Sequence, residues 1–409
     1  MTRKISSRNN VFQYLLNAGI CPEQNLKNMI IDLKYSNNFN WIISLSMEHK
    51  VVVKQERHDS HDKTANRIWN EWRLHNFLQS CPALGSTSSF LPEILYFDNI
   101  NSILIYKYPT GYIDLESYYI NKKIFSTAIA ELVGNTLATL HCETLNSRDC
   151  YDLMREETED KFRYQFPYPG YLLDRIEPEA FSQFPPEGLR FLVFYQRYES
   201  LRATVKELVV HHHHSCLTHN NLQFNNIFIC THWETLLSKI EHGDNILIRL
   251  IDWEACSWGD PAFDLGTAIA GYLQIWLNSL IVHPAIELEK SLQLATIPLE
   301  IIHPSIVALI RAYISSFPKI LEDRPDFLKK VVQFAGLALI YQILTKIQYQ
   351  QDFNNKDICK LQVAKNLLCR PEESFISVFG LTESALIELI PYSGSYPQEN
   401  YYATLTDPS

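Results

Sequence analysis

Between about residues 29 and 106 the chain alternates short apolar runs with polar turns. Met29–Leu33, Trp41–Leu45 and Lys50–Lys54 are β-branched and aromatic runs bounded by Asn and Ser clusters, the pattern of strands joined by hairpins. Thr64–Gln79 lacks proline and glycine and places Ile68, Trp72, His75 and Leu78 at helical spacing. A further strand pair is expected at Glu93–Phe97 and Ser102–Tyr106. These elements predict a small antiparallel sheet with one helix.

After Pro109-Thr110-Gly111, a hinge by its turn chemistry, helical patterns take over. They cover Ile124–His141, Leu189–Val210, Asp264–Val282, Ile306–Ser316 and Asp326–Gln348. Strand-like islands interrupt them at Asn226–Ile229 and Ile246–Ile251. From Pro371 periodicity fades, and a tail with one short helix at Glu383–Leu389 is expected. The implied organisation is an α+β chain of two lobes: 1–108 sheet-rich, 109–370 mostly helical, and 371–409 a tail.

The 409 residues suit two lobes better than one core. Lys and Arg number 36 against 46 Asp and Glu, a formal charge of −10, which argues against a nucleic-acid binder. The nine cysteines are scattered, with no C-x-x-C pair, so neither a disulfide framework nor a zinc site is indicated. The first ten residues are polar and lack a signal's apolar stretch. The charge-free run Leu265–Val282 carries Gln274, Asn278 and Ser279 and reads as a core helix rather than a membrane span. A cytoplasmic, reducing location with no membrane is the expectation. His211–His214 reads as a solvated helix end.

Four segments carry chemistry. Lys54 ends an apolar strand, where a rigid lysine can neutralise nucleotide phosphates. Glu71 lies seventeen residues on, on the expected helix, where a carboxylate could pair with that lysine. The segment Leu217–Phe228 contains His219, Asn221 and Asn226 at the spacing of a kinase catalytic loop, in which the middle position meets the acceptor hydroxyl and the last asparagine ligates magnesium. Asp252 follows the apolar run Leu250-Ile251, a costly place for a charge unless a cation compensates it.

Together these motifs resemble the aminoglycoside phosphotransferase and choline kinase superfamily over about residues 30–270. The loop is similar to that family's H-[GN]-D-L-x-x-x-N pattern, with Asn220 typical of the choline and ethanolamine kinase branch. Ile251-Asp252-Trp253-Glu254 followed by Gly259–Leu265 resembles the aminoglycoside branch, and Leu132–His141 resembles the helix before the catalytic region. The resemblance implies a two-lobed protein-kinase-like fold, ATP and Mg2+ as cofactors, and γ-phosphate transfer to a hydroxyl of a small molecule or peptide. It assigns Lys54 and Glu71 to the nucleotide phosphates, and Tyr106, Lys107 and Tyr108 to the adenine hinge. Asn226 and Asp252 would hold the metal, with His219 and Asp264 bracing the loop.

Two departures stand out. The family's catalytic aspartate is Asn221, whose carboxamide accepts a hydrogen bond but is too weak a base to keep a proton. Three explanations stay open: an active enzyme with another proton path, a pseudokinase that serves a partner modifying enzyme, or an introduced change that traps a complex. The turn Lys34–Asn40 also lacks the glycines usual over phosphates. The acidic then aromatic stretch Asp149–Phe184 suits a cationic amine, a peptide or a plain surface loop. Some relatives modify peptide serines and threonines alongside a separate lyase.

Overall fold

The computed structural model describes residues 8–21, 30–35, 39–45, 49–56, 67–154, 184–238, 246–282, 290–291 and 294–390. Its first half is a five-stranded antiparallel sheet of β1 (Ile30–Tyr35), β2 (Phe39–Ser44), β3 (Lys50–Gln55), β4 (Ile94–Asp98) and β5 (Ile103–Lys107), ordered β1-β2-β3-β5-β4. Period-two alternation divides β3 between two layers. Val51 and Val53 join Trp41, Ile43, Ile103 and Ile105 against Val11 and Leu15 of helix α1 (Arg8–Asn17). Val52 faces the other way, onto Leu104, Tyr106 and Ile68 of helix α2 (Arg67–Ser80). Lys54, two residues beyond Val52, therefore lies on the α2 side. Helix α1 is absent from the sequence reading, although Val11 and Leu15 stand one helical turn apart.

Helix α3 (Gly85–Ser89) precedes β4, and β6 (Tyr112–Asp114) opens the second half. There follow α4 (Leu115–Lys122), α5 (Thr127–Thr144), α6 (Arg148–Met154), α7 (Pro186–Gln196), α8 (Glu199–Val210), β7 (Cys216–Thr218), β8 (Ile227–Cys230), α9 (Trp233–Leu237), β9 (Ile248–Leu250) and β10 (Ser257–Gly259). The chain then continues through α10 (Pro261–Ser279), α11 (His303–Ser316), α12 (Lys319–Asp323), α13 (Phe327–Gln350), α14 (Asn355–Cys369), α15 (Pro371–Phe379) and α16 (Glu383–Glu388). Strands β6, β8 and β9 form a small antiparallel sheet, and β7 pairs with β10.

Helices α10 and α13 run through the core, and both are buried along most of their length. Gly266 lets them touch: a Cβ there would lie 2.7 Å from Ala335 N and 2.8 Å from Val331 O. Among the described residues, only Phe327–Gln350 is long and apolar enough to cross a membrane, and 83% of its apolar window is buried inside the protein. All nine cysteines are free.

Several expected boundaries move. Leu189–Val210 is two helices, because the chain turns at Arg197 and Tyr198, and Tyr198 has an extended backbone before α8. The segment from Pro371 is not an open tail throughout. Helix α15 buries Phe375, Val378 and Phe379, α16 buries Leu386, and residues 391–409 lie outside the described set. His212 is buried rather than solvated, its ring tilted against His214 with centroids 4.5 Å apart, and burial lowers its pKa to about 3. The turn residues 36–38 and residues 155–183 of the acidic–aromatic stretch also lie outside the described set.

Candidate functional site

Lys54 is buried and meets three carboxylates from two other segments. Its Nζ lies 2.7 Å from Glu71 Oε2, bonds Asp252 Oδ1, and stands 3.9 Å from Glu254 Oε2. Burial alone would strip its proton, but Asp252 and then Glu71 outweigh that and raise the ammonium pKa well above its ordinary value. Glu254 is pushed up to about 7, first by burial and then by Asp252. One fixed positive charge thus serves three acids, and burial also raises the pKa of Glu71. Glu71 also accepts from Trp253 N–H through Oε1 at 3.2 Å, tying α2 to the segment that carries Asp252.

Asp252 itself has φ 71°, a left-handed backbone uncommon outside glycine. This turns the residue out of β9 and into the cleft, where it lines a cavity of about 250 Å³ with Val52, Tyr106, Tyr108, Asn225 and Phe228. Tyr106 places its ring 5.7 Å from Lys54 Nζ. The backbone beyond it has no spare donor. Lys107 N–H bonds Glu93 O at 2.8 Å, Tyr108 N–H bonds Lys50 O at 2.9 Å, Thr110 N–H bonds Tyr108 O at 2.7 Å, and Pro109 has none. A base placed against this segment would meet carbonyl oxygens and no free N–H.

Asp264, fully buried in the first turn of α10, holds the loop from below. Its oxygens accept from His219 N–H at 2.7 Å and Asn220 N–H at 2.8 Å, and His141 Nε2 lies 3.2 Å away. His219 Nε2 donates to Ile251 O at 3.0 Å while Nδ1 accepts from Asn221 N–H at 3.2 Å, which sets one neutral tautomer. Burial, the largest influence, lowers its pKa in the same direction. Asn220 has φ 60°, which accounts physically for Gly or Asn at this position.

Asn221 Nδ2 donates to Asp252 Oδ2 at 3.0 Å, and its Oδ1 accepts from Gln223 Nε2 at 3.2 Å. Asn226 Nδ2 closes the loop by donating to Asn221 O at 2.9 Å. Lys54, Glu71, Asp252 and Asn221 therefore form one hydrogen-bonded chain, joined to Asn226 through the loop backbone. Sequence reasoning missed Glu254 as a neighbour of Lys54, although it follows Asp252 by two residues. It placed His75 on the apolar face of α2, one turn after Glu71, but not beside Lys54; its buried ring nitrogens have no hydrogen-bond partner among the described residues, and its pKa falls to about 3 through burial and then Lys54.

No protein-family model matches the sequence, and neither does any curated protein. Among solved structures, an ethanolamine kinase from Plasmodium vivax superposes with a TM-score of 0.50 at 13% identity, covering 88% of this chain and 90% of that one. This chain has the kinase fold. The choline kinase LicA of Streptococcus pneumoniae aligns at a TM-score of 0.46 and 14% identity, over 88% of this chain and 99% of that chain. An ADP-bound aminoglycoside phosphotransferase, APH(2'')-Ib, aligns at 0.47 and 17%, over 88% and 99%. In the kinase fold, the cavity beside Asp252 lies between the sheet and the helical half, as its lining from β2, β3, β8 and the β5–β6 segment requires.

The oxygen donors Asp252 and Asn226 suit a hard divalent cation such as magnesium. Asn226 Nδ2 is spent on Asn221 O, which turns its Oδ1 into the amide's remaining ligand atom. Glu71, Asp252 and Glu254 also bring carboxylate oxygens within 4.8 Å of one another.

Proposed function

We propose that this chain is an ATP- and magnesium-dependent phosphotransferase that passes the γ-phosphate to a hydroxyl of a small molecule or peptide. The observation that carries it is Lys54, buried and bonded at once to Glu71 on α2 and Asp252 beyond β9. Such a lysine is a preorganised positive charge, worth far more to phosphate oxygens in a dry cleft than in water. That an ethanolamine kinase shares the fold supports transfer to an alcohol.

Asp252 and Asn226 would hold magnesium, which neutralises phosphate charge as the bond to the leaving oxygen lengthens. Lys54 holds the phosphates, and Glu71 keeps Lys54 in reach. Asn221 presents Oδ1, which retains a lone pair after its bond to Gln223, to the acceptor hydroxyl. It orients that hydroxyl without taking its proton. Phosphoryl transfer depends chiefly on positioning and charge, so turnover continues slowly.

One observation favours a second reading, a pseudokinase that presents a ligand to a partner enzyme: Asn221 spends its amide on Asp252. Labelled ATP with a panel of alcohols separates the two. Transfer by the wild type or by Asn221→Asp supports the enzyme; transfer by neither supports the binder. Asp252→Ala should abolish magnesium-dependent ATP binding, and an unchanged titration would remove this site assignment.

A further inference from the structure

A second cavity, about 200 Å³, adjoins the first, and Glu116 and Asn225 line both. It borders the catalytic loop directly, because its wall includes Gln223, which bonds Asn221. Four carboxamides face it: Gln223, Asn225, and Gln274 with Asn278 one turn apart on α10. Among the described residues, the side chains of Asn225, Gln274 and Asn278 make no hydrogen bond, and Asn225 Oδ1 is sealed from solvent without a partner. Two charges line the cavity, Glu116 and Lys123, of opposite sign. The rest is mainly apolar, with Ile275, Ile297 and the ring of Phe224 beside the small polar residues Ser279 and Thr296. Phe224 reaches this wall because Gly271 has no Cβ; one would sit 2.8 Å from the ring.

A carboxamide offers one oxygen acceptor and two N–H donors, which match hydroxyls and amides at both ends. It gives a quaternary or primary ammonium no compensating charge, and the cavity's one carboxylate, Glu116, is matched by Lys123, which leaves a cation moved out of water only the Phe224 ring. The size is below that of ordinary ligand pockets, roughly 300 Å³ and upward, so the cavity takes one unit of a molecule rather than an extended oligomer.

We infer that this cavity takes the acceptor, and that the acceptor unit is uncharged: a hydroxyl-bearing group rich in further hydroxyls or amides, the size of one sugar ring or one amino-acid residue. The inference rests on the phosphotransferase reading and sharpens it, setting cationic amino alcohols aside. A saccharide hydroxyl and a seryl side chain share this chemistry.

The test is binding of three probes to the full chain by ligand-observed NMR, with Mg·ATP titrated separately. The probes are methyl α-D-glucopyranoside, N-acetylserine methylamide and choline. At least one neutral probe should bind, at least tenfold more tightly than choline, and should lose about tenfold in Asn278→Ala, a substitution at an exposed position that leaves the core intact. The double variant Gln274→Glu, Asn278→Asp should shift preference toward choline, with ATP affinity unchanged. The glucoside binding alone points to a saccharide, and the serine derivative alone to a peptide. Choline binding best in the wild type, neutral binding indifferent to these variants, or no probe binding while ATP binds would each overturn the inference and leave the phosphotransferase reading standing. ATP failing to bind the wild type would overturn that reading itself, and the role of acceptor with it.

Discussion

The Asn221 amide donates to Asp252 Oδ2 at 3.0 Å, so the residue proposed to meet the acceptor hydroxyl is held by the residue proposed to carry the metal. A carboxylate at 221 would face that oxygen as a like charge, with the Lys54 ammonium, already bonded to Asp252, left to offset both. The asparagine removes this conflict and gives up the base.

Asn221→Asp restores a group able to accept the proton. Transfer to a competent alcohol should rise about 10²–10⁴-fold, the usual range for general-base help. ATP affinity should change far less. Initial rates with labelled ATP check this, and an unchanged or lower rate would show that Asn221 is not at the transfer position.

Lys54→Met leaves Glu71, Asp252 and Glu254 without their shared counter-charge. Removing one partner of a buried ionic group costs about 3–5 kcal/mol. A large drop in urea midpoint at pH 8 is expected, smaller at pH 5 where the carboxyls protonate, together with loss of ATP binding. A midpoint that does not move would deny that the lysine compensates this cluster.

Glu254 sets a pH dependence. Its folded pKa, about 7, lies above the ordinary 4.5, so the folded chain holds the extra proton between those values. Stability from this group is complete below pH 4.5 and falls as pH rises through 7, a loss of roughly 3 kcal/mol. Glu254→Gln should therefore be more stable than the wild type at pH 8, with the gap closing toward pH 4.5. Denaturant titrations at four pH values decide it; a gap widening on acidification would reverse the sign.

The segment Lys107–Thr110 gives a nucleobase no free N–H, since its donors are spent on Glu93, Lys50 and Tyr108. Adenine N1 placed against this segment would have no backbone N–H to accept from. ATP and GTP should bind within about tenfold of each other, a difference of ~1.4 kcal/mol. Calorimetric titration measures the ratio, and a hundredfold preference would require a base contact outside this segment.

Much of the architecture was legible in local pattern. Alternation in Lys50–Gln55 put Val52 and Lys54 on one face, and helical spacing from Ile68 put Glu71 on a helix. The loop spacing from His219 to Asn226 exposed the candidate site. Less legible were α1, whose amphipathic stripe is only Val11 and Leu15 deep, and the break at Arg197 and Tyr198, which has no proline or glycine to mark it.

Residue spacing acts within a turn or a strand, so the chain's one-dimensional order was enough to name Lys54, Glu71, Asn221, Asn226 and Asp252 as candidates, with Asp264 added by the family resemblance. It had no means of joining Lys54 to Asp252 across 198 residues, of adding Glu254 to that cluster, or of turning Asn221's amide toward Asp252. Nor could it bring Gln274 and Asn278 round to the loop. Those meetings depend on burial: only when the sheet and the helical half close over a cleft is water excluded, and only then do a few charges and amides have to find one another.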